Sequence, residues 1–430
     1  MFFLFGLGDS LQLVASLSFS EIFILLAAPV LLMTGEYRQM KRSGTHVLFL
    51  LATAVLLGAV INYFHFGSIP YYTIRRFAQV VVVLCAIVVV HWMLRNDMMG
   101  YKWWLVGVAI SLILSTFIFQ QAVEVVKSQG DTREIIRGPI YWIQRMKNFV
   151  YLPIGGWYLK TPYLYAVGAP LVFAAFCLIT SISGRGAAIA AVGVSALMLA
   201  AGKKVRSIKR IHRYFWIFMF SVLILIPIGN AGYRYLALSG ALGEMAEKKY
   251  LGQTHGKSGT IRLLIGGRSE SLAGIYACMH QPIFGFGLCG KDPTGYHEEF
   301  IRKFGSSEDI EKMYLTEQWL ARYGLSRADL GIPTHSFIGA FWVYFGCFGL
   351  IFWIYVLYVL FRYIKRDAWA VPQWYGWIAC MIPGTVWDIF FSPFSGRVQV
   401  TMLVVACLIV RAVRLGRMHL PLEMASEIRY

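Results

Sequence analysis

Two arginines and one histidine are the residues of this sequence best suited to bind an anion and to move a proton. Arg185 lies in "SGRG", where Gly184 and Gly186 let backbone amides approach a bound group closely. Arg268 lies in "GGRSE", and its planar guanidinium suits bidentate binding of phosphate. His335 lies in "PTHSF", and because imidazole titrates near neutral pH it can act as a general base. These side chains predict a site for an anionic, already activated substrate.

Each of the three residues also has a purely structural interpretation. Arg185 fits an arginine whose charged end extends to a membrane interface, and Arg268 fits an ion pair with Glu270 in the same segment. His335 fits a capping or packing residue, because a loop stops there directly before an apolar run. The residue types alone leave both interpretations open.

Several motifs for other chemistry are missing from the sequence. It has no Gly-rich P-loop, no GxGxxG after a predicted strand, no His/Cys metal spacing and no paired-aspartate motif for a metal-bound sugar nucleotide. Nucleotide substrates are therefore disfavoured. We expect no metal and no cofactor.

The composition predicts an all-α, polytopic membrane protein that holds these residues. Of 430 residues, 58% are hydrophobic and only 14% are charged, whereas soluble domains carry about 25% charged residues. The formal charge of +18 would suggest nucleic acid in a soluble chain. Here many Lys and Arg residues flank apolar runs, where they set the orientation of membrane spans.

Apolar runs of about 20 residues, the length that crosses a bilayer, recur along the chain. With two weaker candidates, near 2–17 and 140–159, they bring the predicted count to about 12 transmembrane helices. The stronger spans lie near 18–35, 46–64, 77–95, 102–120, 162–182, 186–202, 214–231, 336–363, 373–392 and 398–415.

Basic segments between the spans predict their orientation. "KKVRSIKRIHR" carries six Lys and Arg residues, which the positive-inside rule places in the cytoplasm. Counting spans from this segment puts both termini inside and requires 140–159 to cross, although it contains Arg145 and Lys147. If 140–159 lies instead as an interfacial amphipathic helix, the orientation of everything before it reverses, while the chain after Lys203 keeps its orientation.

The predicted topology divides the chain into three parts. Residues 1–231 form an N-terminal transmembrane bundle, 232–334 a long outer loop with helices, and 335–430 the C-terminal transmembrane helices. A loop of about 100 residues is long enough to carry function. It contains Cys278 and Cys289, which either pair in an oxidising compartment or remain two free thiols.

In these motifs the sequence resembles the superfamily of O-antigen ligases and of O-antigen and exopolysaccharide polymerases. The resemblance is carried by the "SGRG" turn, the "GRSE" helix followed by "HQPIFGFGLCG", and "THSFIGAFWVYFGCFG", in that order. Members of this superfamily are bacterial inner-membrane enzymes that transfer lipid-linked glycans in the periplasm. The hydropathy profile is similar to that of the superfamily over most of the chain, because it has many predicted spans and one long loop before the last helices.

The resemblance implies roles for the three residues. Arg185 and Arg268 would bind the diphosphate of an undecaprenyl-diphosphate-linked glycan, and His335 would lie beside the acceptor hydroxyl. It implies a metal-independent glycosyltransferase, thought to invert the anomeric centre, in the bacterial inner membrane with its site facing the periplasm. Donor glycan, glycan acceptor and membrane lipids are then its partners, and nucleic acid is not.

The acceptor is left open by these residues. A polymerase transfers the glycan to the next lipid-linked repeat unit, and a ligase transfers it to a lipid A core sugar. The C-terminal "VWDIFFSPFSGRVQV" favours a polymerase, while Arg133, Arg137 and Arg397 could contact a second diphosphate or lipid A phosphates. A membrane transporter is a more distant alternative, disfavoured because the sequence has no internal repeat.

Overall fold

The computed structural model describes the chain in several ranges. These are residues 12–14, 17–66, 70–96, 101–117, 125–126, 135–136, 149–179, 185–201, 231–232, 234–241, 247, 250–251, 269–288, 290, 292, 294–304, 332, 334, 336–362 and 372–391. The predicted span near 398–415, and the one near 214–231 except for residue 231, lie outside them. The domain boundaries at 231 and 334 remain predictions.

The described chain is all-α apart from four strands of two or three residues. The helices are α1 (Phe19–Met33), α2 (Glu36–Ser43), α3 (His46–Phe66), α4 (Pro70–Asn96), α5 (Tyr101–Phe117), α6 (Tyr163–Ile179), α7 (Arg185–Ala201), α8 (Ser269–His280), α9 (Tyr296–Phe304), α10 (Phe337–Phe345), α11 (Cys347–Arg362) and α12 (Pro372–Phe391). Residues 149–157 are also helical, and a 3₁₀ turn follows at Tyr158–Lys160. The predicted all-α class is therefore confirmed for this part of the chain.

The four strands form two small antiparallel pairs. Strand β1 (Gln12–Val14) pairs with β2 (Leu17–Ser18), so the end of the weak span predicted near 2–17 is a hairpin and that prediction is wrong there. Strand β3 (Val125–Val126) pairs with β4 (Ile135–Ile136) between the spans predicted near 102–120 and 140–159.

Among the described residues, two helices are long and apolar enough to cross a membrane. They are the His46–His65 part of α3 and the Arg76–Leu94 part of α4. The apolar α1 and the polar α2 meet at an angle of 90°, and counting this bent pair as one span brings the number to three. Shorter apolar helices occur at Tyr163–Cys177, Ala188–Leu199 and Cys347–Leu360.

Helix α4 forms although its centre reads "VVVVLCAIVVV", a run rich in β-branched residues. Such residues are weak helix formers in water. In apolar surroundings, however, every backbone N–H and C=O needs a partner, and a helix supplies it within one segment. The side chains of this run from Val80 to Val90 are mostly buried, which adds packing energy to the backbone requirement.

Neighbouring helices build one large apolar core. Helix α4 packs on α1 and α3, and α3 packs on α11. Helix α10 packs on α8, α11 and α12, while α7 packs on α6 and α12. The candidate residues are therefore carried by elements that join the same core.

The single span predicted at 336–363 is wrong, because the structure divides it at Gly346 into α10 and α11. In a straight helix Phe337 and Trp353 would lie about 24 Å apart along the axis, but their ring centroids are only 5.5 Å apart. The rings of Phe341 and Phe352 stack at 5.8 Å. The chain thus bends back on itself.

Two glycines make this bend possible. Gly346 has φ 63°, a left-handed conformation in which a side chain is strained, and a Cβ there would collide with the carbonyl of Ile283. A Cβ at Gly349 would collide with the carbonyl of Phe341. Two helices can approach this closely only where neither residue carries a side chain.

We predict that Gly346→Ala destabilises the fold by about 2 kcal/mol or more, since it adds both backbone strain and a steric overlap. Thermal unfolding in detergent micelles, followed by far-ultraviolet circular dichroism, measures the change. Gly168→Ala in α6 is the matched control, because a Cβ there meets nothing within 4 Å. Equal midpoints for the two variants would show that the bend does not require glycine.

Candidate functional site

The three predicted site residues stand at or beside the starts of three helices. Arg185 is the first residue of α7, and the structure describes its backbone alone. Arg268 directly precedes α8, whose first turn holds Ser269 and Glu270 as predicted. His335 precedes Ser336, the N-cap of α10. Arg268 and His335 themselves lie outside the described residues, as do Arg133, Arg137 and Arg397.

The segment that carries His335 lies against the helix that follows Arg268. A Cβ on Gly274 of α8 would lie 3.5 Å from the side chain of Ile332 and 3.6 Å from that of Thr334. A Cβ on Gly339 of α10 would lie 3.8 Å from the side chain of Ile275. Small residues on both helices therefore allow α8, α10 and the connecting backbone to come close together.

The start of α10 is buried and capped. Ser336 is buried, and its hydroxyl accepts a hydrogen bond of 2.9 Å from the backbone N–H of Gly339. Phe337 is fully buried beside it. The partial positive charge of a helix N-terminus acts more strongly where water is excluded. The backbone at the start of α10 therefore favours a negative charge.

The turn-rich segment 281–288 holds the bend between α10 and α11. The N–H of Phe286 donates to the carbonyl of Val343 at 2.7 Å, and the N–H of Cys347 donates to the carbonyl of Ile283 at 2.9 Å. The indole N–H of Trp342 donates to the carbonyl of Pro282 at 3.0 Å. Backbone groups freed by the bend thus find partners in "HQPIFGFGLCG".

Asn62 of α3 joins this segment to the bend. Its side-chain amide donates to the carbonyl of Phe284 at 2.9 Å and to that of Tyr344 at 3.1 Å. The amide is buried, so both hydrogen bonds are shielded from water. Sequence reasoning missed Asn62, because it reads as an ordinary polar residue at the end of an apolar helix.

Tyr344 and Arg76 form a second connection to the segment before His335. The guanidinium carbon of Arg76 lies 3.3 Å from the centre of the Tyr344 ring, a cation–π contact. The Tyr344 hydroxyl donates to the carbonyl of Ile332 at 3.4 Å and lies 3.3 Å from the hydroxyl of Thr334. The sequence places Arg76 at the start of a span but gives no signal that it meets Tyr344, 268 positions along the chain.

Arg185 belongs to a neighbouring part of the bundle. Helix α7 packs on α12, and the hydroxyl of Tyr375 on α12 donates to the carbonyl of Leu197 on α7. Helix α12 in turn packs on α10. The structure therefore packs α8, which follows Arg268, against Ile332 and Thr334, and it connects α7 to α10 through α12.

Asp292 and Cys278 have structural roles beside this unit. The Asp292 carboxylate accepts hydrogen bonds from the N–H groups of Thr294 and Gly295 at 3.0 Å and from that of His297 at 2.7 Å, which fixes the start of α9.

Cys278 is a buried free thiol. Burial, and secondly the negative charge of Asp292, raises the pKa of Cys278, so the thiol stays protonated and unreactive. Cys289, the other cysteine of the predicted loop, lies outside the described residues.

Comparison with known proteins assigns no family to the chain. No protein-family model matches the sequence, and no curated protein is significantly similar to it.

We predict that Asn62→Asp lowers the free energy of unfolding by about 2 kcal/mol or more. The aspartate side chain has the same shape, but its carboxylate cannot donate the two buried hydrogen bonds and would face two carbonyl oxygens instead. Thermal unfolding in detergent micelles measures the loss. Thr53→Val is the control, since it removes only a hydrogen bond to Phe49 within the same helix. A loss no larger than that of the control would mean that Asn62 does not hold the bend.

Proposed function

We propose that this protein is a metal-independent glycosyltransferase of the bacterial inner membrane that needs no cofactor. It transfers an undecaprenyl-diphosphate-linked glycan to a sugar hydroxyl on the periplasmic face. Its chain crosses the membrane about 12 times, and residues 232–334 form the periplasmic domain beside the site. The resemblance in "SGRG", "GRSE" and "THSFIGAF" is the starting point of this proposal.

One observation carries the proposal furthest. Ile332 and Thr334 lie against Gly274, which is six residues after Arg268, or about 9 Å along the helix. The helix that begins after Arg268 is thereby packed against Ile332 and Thr334, which come just before His335 in the sequence. This proximity supports a shared site for a diphosphate and an acceptor hydroxyl.

The reaction follows from the proposed roles. Arg185 and Arg268 bind the diphosphate of the donor and stabilise the charge that develops on it as it leaves. His335 accepts the proton of the acceptor hydroxyl, whose oxygen attacks the anomeric carbon from the face opposite the diphosphate. A new glycosidic C–O bond forms, the bond from the anomeric carbon to the diphosphate oxygen breaks, and the configuration inverts.

The buried N-terminus of α10 adds to this electrostatic environment. Its dipole favours the negative charge of a bound diphosphate. Arg76 and Tyr344 act as positioning residues, because Tyr344 contacts both Ile332 and Thr334 just before His335. Through Tyr344, the bend at Gly346 thus holds Ile332 and Thr334, the described residues just before the proposed base.

We predict that His335→Ala abolishes glycan transfer while leaving expression and membrane insertion intact, because the acceptor hydroxyl then has no base to accept its proton.

We also predict an effect of replacing the two arginines by lysine. Arg185→Lys and Arg268→Lys keep the positive charge but lose the bidentate fork, so they should lower the rate at least about tenfold and weaken donor binding. Product formation by the purified variants, with a lipid-linked glycan as donor, measures these effects.

His280→Ala serves as the control for the histidine variant, since His280 is an exposed histidine at the end of α8. It should retain the rate of the unmodified protein. Near-normal specific activity of His335→Ala would remove His335 from the mechanism. Unchanged rates for both Lys variants would show that the arginines contribute only positive charge and do not bind the diphosphate through a bidentate contact.

The acceptor distinguishes two forms of the activity, and we favour a polymerase on the basis of "VWDIFFSPFSGRVQV". We predict that the purified protein, given only a lipid-linked repeat unit, builds a ladder of longer lipid-linked chains, because this mixture contains both donor and acceptor. Gel electrophoresis of the extracted glycans reads the result. No ladder, followed by transfer once lipid A core is added, would identify a ligase in which Arg133, Arg137 and Arg397 contact lipid A phosphates.

A transporter is a second candidate, and one structural feature favours it. Discontinuous helices such as α10 and α11 are typical of transporters, where freed backbone groups coordinate a solute. Here the carbonyl of Val343 and the N–H of Cys347, which the bend frees, are hydrogen-bonded to Phe286 and Ile283. For this reason we rank the transporter below the transferase. Flux of a small solute into reconstituted vesicles, without glycan elongation, would reverse that ranking.

A further inference from the structure

Helix α2 has a position unlike that of its neighbours. It follows the apolar α1 at an angle of 90° and is itself polar, with the sequence "EYRQMKRS". Gly35 before it and Gly44 after it both have φ near +86° (87° and 85°), so the chain turns sharply at each end. Helix α2 is therefore a short surface segment between two apolar helices.

One histidine fixes both ends of α2 to the bundle. Nδ1 of His91 on α4 lies 2.7 Å from the Glu36 carboxylate, and Nε2 lies 2.8 Å from the Ser43 hydroxyl. Glu36 is the first residue of α2 and Ser43 the last, seven positions apart and hence on the same helix face. Met40, which is fully buried, lies on that face between them.

The opposite face of α2 is basic. Arg38, Lys41 and Arg42 are exposed, and successive rotations of about 100° per residue place them together, away from Glu36 and Met40. None of the three takes part in an ion pair with another residue of the described ranges. Because His91 holds the inner face, α2 presents these three charges in a fixed orientation.

Exposed apolar side chains mark where a bilayer would reach this part of the molecule. Met33, the last residue of α1, is 86% exposed, and Leu26 and Val30 are 71% and 58% exposed. Leu50, one turn into α3, is 50% exposed. This apolar surface ends on both sides at α2, as expected for the boundary between hydrocarbon and headgroups.

We propose that α2 lies flat in the headgroup region of the membrane and that Arg38, Lys41 and Arg42 bind the phosphates of anionic phospholipids. The proposal does not depend on the glycan chemistry of the distant site. Burial of α2 within hydrocarbon is disfavoured, because three exposed cations would then lack both water and a counter-ion. Headgroup phosphates supply that counter-ion at the level where the apolar surface ends.

The test compares the lipids retained by the full-length protein. Native mass spectrometry in detergent counts bound phosphatidylglycerol and phosphatidylcholine for the unmodified protein and for the variant R38Q/K41Q/R42Q. We expect the variant to need at least about tenfold more phosphatidylglycerol for half-saturation, since each basic residue near an anionic surface adds a several-fold increase in binding. Phosphatidylcholine retention should stay unchanged.

A second triple variant serves as the charge-matched control. K160Q/R234Q/K303Q also removes three exposed positive charges, from elements distant in sequence from α2, and should retain phosphatidylglycerol normally. An equal loss in both triple variants would mean that net charge alone attracts the lipid and would overturn the proposal. No loss in R38Q/K41Q/R42Q, or equal preference for both lipids in the unmodified protein, would overturn it as well.

The role of His91 is tested by hydrogen exchange in lipid nanodiscs. Phosphatidylglycerol should slow amide exchange of α2 relative to phosphatidylcholine in the unmodified protein, because bound headgroups hold the helix in place. His91→Gln should reduce this difference while the circular dichroism spectrum keeps its helical form, and Ser43→Ala, which removes one of the two links, should reduce it less. Identical lipid-dependent protection in all three proteins would show that α2 is not positioned by His91.

Discussion

The hydrogen bonds that the 281–288 segment gives to the bend at Gly346 are the interaction on which the rest of this structure depends. A helix that bends back inside an apolar bundle leaves backbone donors and acceptors without partners, and each such buried group is costly. Phe286, Ile283 and Asn62 supply those partners from two distant parts of the chain. The bend, the segment 281–288 and the end of α3 therefore form one unit, and the segment before α10 is held in place by it through Tyr344.

The same unit explains how a site could form at the start of α10. An apolar helix that continued straight would place its first residue far from its midpoint, whereas the bend brings Phe337 beside Trp353. Ser336, next to the proposed base in the sequence, is buried and caps a helix whose dipole favours an anion. A site of this kind uses backbone position as much as side-chain identity, which is consistent with the diphosphate-linked substrate that we propose.

Helix α2 is held to the bundle in a different way, by His91 of α4. A polar helix perpendicular to the bundle cannot be held by apolar burial along its whole length, so two hydrogen bonds to His91 take over that task. Both side chains of the Glu36–His91 pair are only 3% exposed, and each buried polar group satisfies the other. The basic face of α2 is then free to meet a surface of opposite charge.

The sequence by itself determined the all-α class, the positions of most described helices and the start of α8 after Arg268, because apolar run length and helix-start residues are local signals. It also singled out Arg185, Arg268 and His335 by residue type and by resemblance, although their roles remain a proposal. Only the tertiary structure decided that residues 336–363 bend back at Gly346, that Asn62 and Arg76 meet Tyr344, and that one histidine holds both ends of α2. Those contacts join positions 48 to 282 residues apart, and no local pattern of hydrophobicity or charge records which distant carbonyl, ring or imidazole a side chain will meet.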